Sequence, residues 1–218
     1  MILEREGLGV WEERLAGLLA AHADGDGSHG LHHSRRVWAN ARKIASREAQ
    51  PVDGEVLVAA AFLHDLVNPP KNAPDRARAS LLSADRAVDL LRTHGFAASK
   101  LDAVHHAIHA HSFSAAIEPQ TIEAKILQDA DRLESLGAIG LARTFYVAGR
   151  MDSELFDPED LMAKHRPLDD KRFAIDHFQT KLLKLPALLN TEAAKAIADE
   201  RVAFLRRFLA QLQEELCP

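Results

Sequence analysis

At 218 residues the chain is long enough to bury one substantial core, and 47% hydrophobic with 27% charged residues is ordinary for a globular protein. A formal net charge of −5 excludes a broad nucleic-acid-binding face but allows a local basic pocket for a small anion. The single cysteine, Cys217, stands next to last, which excludes an internal disulfide and a thiolate metal site. The charged start Met-Ile-Leu-Glu-Arg-Glu lacks the apolar core of a signal peptide, and no apolar run approaches the roughly 18 residues that span a bilayer. A cytoplasmic protein without a membrane partner is expected.

Leu8, Trp11, Leu15, Leu18 and Leu19 recur at three- and four-residue steps and predict a first helix. The Gly- and Asp-rich stretch Asp24 to Ser28 ends it, and a second helix begins near His29 with the stripe Val37, Ala41 and Ile44. Val56 to Leu66 is apolar nearly all round, which predicts a buried helix carrying His64 and Asp65 near its end, where Pro69-Pro70 stops it. A fourth helix is expected from Asp75 to His94, closed by Gly95 in the left-handed conformation. Ser99 with Asp102 has the form of a capping box opening a fifth.

From Thr121 to about Ala148 the pattern predicts one long helix, with Gly137 and Gly140 as points of close packing inside it. Residues 149–170 suggest a loop with a short helix starting at Asp157-Pro158. Two last helices follow near 171–188 and 191–216, the latter capped by Thr191. Strand signals and repeats are absent. The expected fold class is all-α, a single-domain bundle with its core in 25–148 and a C-terminal loop and helical extension in 149–218. The amphipathic C-terminal helix can pack on its own core or on a second copy, which leaves a monomer and a homodimer open.

The chemistry concentrates at His64-Asp65. With 12 histidines in the chain, roughly one such dipeptide is expected by chance. Its company gives it weight: His29, His32 and His33 upstream, Asp129 and Asp131 downstream. Imidazole and carboxylate together form a mixed N/O site for a divalent metal, whose chemistry suits hydrolysis of phosphate esters.

His29 and His33 share a helix face, which fits two ligands, or one ligand and one group that orients it. His32 points elsewhere, toward solvent. Adjacent residues diverge by about 100° on a regular helix, so His64 and Asp65 reach one ion only near a helix end. A satisfied core histidine would not explain a carboxylate directly after it in an apolar run. Asp129 and Asp131 point to opposite sides of a helix; spacing does not say which one is a ligand and which a surface or supporting carboxylate. Lys71, Arg76 and Arg78 follow the dyad as a phosphate clamp or, equally, a solvated helix start. Lys71 is closest to the dyad. Of His105, His106, His109 and His111, His111 falls where helix gives way to loop, and is the one expected to face the pocket.

Taken together, these stretches resemble the HD-domain metal-dependent phosphohydrolases, whose ligand order is H…HD…D. The matching segments are Ser28 to Trp38, Leu63 to Lys71, Pro74 to Ser80, His111 to Ser114 and Asp129 to Arg143, with Asp176-His-Phe and Lys181-Leu-Leu near the C-terminus. The resemblance is closest to a bacterial subgroup of HD hydrolases that look like nucleoside triphosphate pyrophosphohydrolases. It implies an HD-type bundle in which His33, His64, Asp65 and Asp131 hold a divalent metal, Mn²⁺ or Mg²⁺ ahead of Co²⁺, Ni²⁺, iron or Zn²⁺. Asp129 becomes a supporting group, and the general base is Asp129, Asp65 itself, or none beyond the metal. The implied reaction is attack of metal-activated water on phosphorus of a nucleotide or related small phosphate ester.

The chain departs from the family in two places. His29-Gly30 stands where relatives often have His-Asp. Asn68 replaces an acid that another branch places three residues after the dyad, and an amide cannot act as a base. Lys71, Asp129 and His111 are the catalytic candidates; Arg76, Asn68 and His29 are assigned to substrate. Two rival readings are an HD-type di-iron oxygenase, with extra histidine ligands from His105–His111, and a non-catalytic nucleotide-binding module.

Overall fold

The computed structural model describes residues 5–21, 30–67, 78–112 and 115–216. The expected break at Asp24–Ser28, the Pro69-Pro70 stop, and the assignments to His29, Asn68, Lys71, Arg76 and Cys217 lie outside them.

Among the described residues the fold is all-α, as expected: α1 (Arg5–Ala21), α2 (Leu31–Ala45), α3 (Gly54–Leu63), α4 (Ala79–Thr93), α5 (Leu101–His111), α6 (Ile122–Leu133), α7 (Gly137–Arg150), α8 (Asp176–Thr180) and α9 (Glu192–Leu216), with short 3-10 segments at Ala98–Lys100 and Leu182–Leu188. The only extended pairing there is an isolated bridge between Glu154 and Phe173. The chain divides into two compact units, Met1–Asp131 and Arg132–Pro218.

In the first unit α3 is the central element, packed by α1, α2 and α5, while α4 packs on α5. Asp53 caps α3, its Oδ1 accepting from the amides of Glu55 and Val56 at 3.0 and 3.2 Å. Every residue from Val56 to Leu63 is buried, so this helix has no solvent face. Burial of Leu57, Phe62 and Leu63 stabilises by about 1.5–3 kcal/mol each. The remaining helices are amphipathic and turn Leu15, Leu19, Val37, Ile44, Leu91, Val104 and Ile108 inward. Gly95 has φ of 78° and closes α4 in the left-handed conformation its sequence position predicts.

The structure corrects four expectations, one being the helix near 171–188, which is α8 at Asp176–Thr180 followed by the separate 3-10 segment Leu182–Leu188. The long helix over 121–148 is two helices, because Gly137 adopts φ of 69° and the chain turns through Glu134–Leu136 before α7 starts. A periodicity of hydrophobic residues continues across such a turn and hides it. Ser99 and Asp102 do not form a capping box; a 3-10 turn leads into α5 without a side-chain cap. No helix begins at Asp157-Pro158. Instead the Asp157 carboxylate accepts from the amides of Glu159 and Asp160 at 2.9 and 3.1 Å and closes a turn.

In the second unit α7 and the Leu182–Leu188 segment pack on α9, with Phe178 and Phe208 stacked at 5.9 Å between ring centres and Phe145 edge-on to Phe208. Thr191 caps α9, its Oγ1 accepting from the Ala194 amide at 3.3 Å. Gly140 sits so close to the preceding turn that a Cβ would lie 2.2 Å from the carbonyl carbon and oxygen of Ser135. Gly140→Ala is therefore expected to lower stability by about 1–3 kcal/mol or more through overpacking, read as a fall in the urea midpoint. An unchanged midpoint would show that the turn yields freely.

Candidate metal centre

Four elements of the first unit contribute side chains to one point. His33 lies in the first turn of α2, where its amide donates to the Gly30 carbonyl at 2.9 Å. His64 is the residue at which α3 stops, and Asp65 is next in the turn. His64 keeps helical dihedrals (φ −61°, ψ −33°), and from the helix end and the turn after it the two side chains reach to within 3.7 Å of each other. Asp65 Oδ2 lies 3.7 Å from His64 Nε2 and 4.0 Å from His33 Nε2. From α6, Asp131 Oδ1 approaches His33 Nε2 at 3.3 Å and His64 Nε2 at 3.8 Å. From the end of α5, His111 Nε2 lies 3.6 Å from Asp65 Oδ1.

The imidazole tautomers follow from backbone contacts. His64 Nδ1 lies 3.0 Å from the Ala61 carbonyl, and His111 Nδ1 lies 2.6 Å from the Ile108 carbonyl. A carbonyl accepts only, so each Nδ1 carries a proton; the neutral His64 ring turns a bare Nε2 lone pair toward the aspartates, while His111 Nε2 faces Asp65. Metal-ligating histidines are oriented in this way. The Nε2 atoms of His33 and His64 stand 3.2 Å apart in a buried setting. Two imidazole nitrogens and two carboxylates converging at such distances form a donor set that suits a divalent cation shared among them. Two overlapping groupings meet the geometric requirement, His33–His64–Asp131 and His64–Asp65–His111, each with its donor atoms within 4.8 Å of one another. They share His64 Nε2, which has one lone pair, so both cannot be filled at once through that atom.

Charge distribution favours the same use. His33, His64 and His111 are buried, whereas Asp65 and Asp131 keep 22% and 31% of their side-chain surface, so the centre opens to solvent on its carboxylate side. Burial lowers the His64 pKa to about 4, only partly opposed by Asp65, so the ring is neutral and ready to ligate near pH 7. Burial works against the Asp131 anion too, but the hydrogen bond with His33 and the neighbouring His64 hold its carboxyl well below the usual carboxylate range. For His111 burial is outweighed by its bond to Asp65, and its pKa rises.

Other residues hold these positions. Ser83 Oγ on α4 accepts from the Val67 amide at 3.0 Å and donates to the Val67 carbonyl at 3.1 Å, which fastens the turn that follows the dyad. Asn40 Nδ2 donates to the Ala130 carbonyl at 3.3 Å, and Gln128 Nε2 to the Ala110 carbonyl at 2.8 Å. Sequence reasoning passed over all three; the signal available was a polar residue within an otherwise buried stripe.

Asp129, two residues before Asp131, is fully buried and belongs to neither grouping. His32 is exposed. Of the histidine-rich segment of α5, only His111 joins a grouping; His105 pairs with Asp85 at 2.9 Å and His106 Nε2 accepts from the Gln120 amide at 2.9 Å. A second iron would find one imidazole from α5, not several. Among the described residues no helix is long and apolar enough to cross a membrane.

Comparison with known proteins agrees with this geometry. The HD domain family matches residues 30–136, a span that includes all five converging side chains. The Bacillus subtilis protein YpgQ is 34% identical over 197 residues, covering 88% of this chain and 87% of its own. A crystal structure of YpgQ in complex with ADP superposes with a TM-score of 0.72 at 30% identity, covering 98% of this chain and 97% of that one. An HD-superfamily hydrolase from Bacillus thuringiensis gives a TM-score of 0.72 at 29% identity over 95% of this chain and 97% of its own.

Proposed function

The chain belongs to the HD-domain superfamily of metal-dependent phosphohydrolases, and from that premise we propose that it hydrolyses a nucleotide or a closely related small phosphate ester. The observation that carries the reading is the convergence of His33, His64, Asp65 and Asp131, with the His64 Nε2 lone pair presented by the Nδ1 contact to Ala61. These four residues would hold the ion, Mn²⁺ or Mg²⁺ ahead of Co²⁺, Ni²⁺, iron or Zn²⁺. A divalent metal there supplies Lewis acidity toward a phosphoryl group and a nucleophile from water at neutral pH.

The chain's own side chains have separate tasks. His111, with Nδ1 fixed by Ile108 and Nε2 facing Asp65, holds a proton beside the reacting group and can pass it on from Nε2. The complete burial of Asp129 supports a role in orienting the carboxylate end of α6 rather than contact with water. Lys71 and Arg76, which follow the dyad in the sequence, balance charge on the phosphoryl oxygens. Asn68 and His29 contact the substrate. The ADP complex of YpgQ supports a nucleotide with a phosphate chain, and the reaction assigned is pyrophosphate release from a (deoxy)nucleoside triphosphate. We place it in the cytoplasm, where a lone cysteine stays reduced.

The test is a product screen across nucleoside mono-, di- and triphosphates with Mn²⁺, Mg²⁺, Co²⁺ and Zn²⁺. Pyrophosphate from triphosphates is expected. Phosphate from monophosphates would instead make the protein a nucleotidase, and nucleotide binding without product would overturn catalysis.

A further inference from the structure

We propose that Asn40 and Gln128 are positioning residues that set the register of α6 against α2 and α5, and so fix the separation of the metal-holding side chains. The proposal rests on the reading of His33, His64, Asp65 and Asp131 as metal ligands.

The two amides occupy matched places. Asn40 is seven residues after His33, two turns along the same face of α2. Its Nδ2 donates to the carbonyl of Ala130, the residue before Asp131. Gln128 is three residues before Asp131 on α6, and its Nε2 donates to the carbonyl of Ala110, the residue before His111. Each bond therefore joins two helices that both present a side chain to the centre, at a peptide unit adjacent to one of those side chains. Asn40 and Gln128 are 4% exposed, so neither bond competes freely with water.

Apolar packing alone would not do this. Apart from the buried Asp129 carboxylate, the rest of the inward side of α6 is Ala124, Ile126, Leu127, Ala130 and Leu133. Hydrophobic burial is non-directional and tolerates sliding along a helix axis. A metal centre does not, since its donors must stand within about 0.2 Å of their preferred distances. A directional bond from a buried amide at each side of α6 removes that freedom. The far end of the helix has its own tether, the Asp53 amide donating to Glu123 Oε1 at 2.8 Å, close to no metal-holding residue. That tether is the natural control.

The experiment compares metal-stripped wild type with Asn40→Leu, Gln128→Leu and Glu123→Leu. Mn²⁺ affinity is measured by competition with a chelating dye, the visible absorption of the Co²⁺-loaded protein reports donor geometry, and urea unfolding reports metal-free stability. The two amide variants are expected to bind Mn²⁺ about 10–100-fold more weakly, the range for groups that orient ligands, with a shifted Co²⁺ spectrum. Glu123→Leu is expected to lose stability while keeping wild-type affinity and spectrum. Should the leucine variants not fold, Asn40→Ser and Gln128→Asn give the same comparison. Wild-type affinity and spectrum in both amide variants overturns the proposal, as does equal weakening by Glu123→Leu. A wild type that binds no metal overturns it together with the reading beneath it.

Discussion

Asp65→Ala is expected to lose metal and activity together while the helices stay folded. Among the described residues Asp65 is the carboxylate placed against three imidazoles: its Oδ2 is 3.7 Å from His64 Nε2 and 4.0 Å from His33 Nε2, and its Oδ1 is 3.6 Å from His111 Nε2. Truncation removes a hard anionic donor and also the partner that raises the His111 pKa. A loss of at least about 10³-fold in kcat is expected, at the upper end of what one preorganised electrostatic group contributes. Folding should survive, because the side chain is 22% exposed and sits in a turn after α3 rather than in its core. Metal content by mass spectrometry, product release and far-UV circular dichroism separate these effects. An active, metal-free Asp65→Ala protein would remove the carboxylate from the mechanism.

The second large effect concerns stability in the other unit. Arg166 clasps Asp176 through two bonds, Nη1 to Oδ2 at 2.6 Å and Nη2 to Oδ1 at 2.9 Å, and Asp176 is fully buried. The same guanidinium lies 4.5 Å over the Phe173 ring, and its Nη2 also donates to the Asp160 carbonyl at 3.2 Å. Arg166→Met strands the carboxylate in the interior, where the Asp169 amide still donates to its Oδ2 at 2.7 Å. Breaking one side of such a pair costs about 3–5 kcal/mol, a large part of the stability of a typical domain. Pairing Arg166→Met with Asp176→Leu should recover most of that, because the desolvated charge leaves too. Urea unfolding of the single and double variants decides it. A single variant within about 1 kcal/mol of wild type would mean that water reaches Asp176 easily.

Much of the centre was legible in sequence because its signals are local. His64-Asp65 reads as a ligand pair once the apolar run before it and the prolines after it predict a helix end, and α3 does end at Leu63. The choice between neighbours was not local. His29 or His33, and Asp129 or Asp131, are equivalent in spacing; only the resemblance to a family ranked them. The folded chain brings His33 and Asp131 to His64, while Asp129 is enclosed.

What escaped sequence reasoning shares one physical origin. The Asn40–Ala130 bond spans 90 residues, and register between distant helices leaves no trace in periodicity. The turn at Glu134–Leu136 escaped because a positive φ at Gly137 interrupts the backbone without interrupting the apolar pattern.

The most direct test of the account is a titration of metal-stripped protein with Mn²⁺ while product release from a nucleoside triphosphate is followed. The account predicts no release in the stripped protein, recovery that saturates near one ion per chain, and a flat response from Asp65→Ala. Full activity of the stripped protein in excess chelator would contradict it.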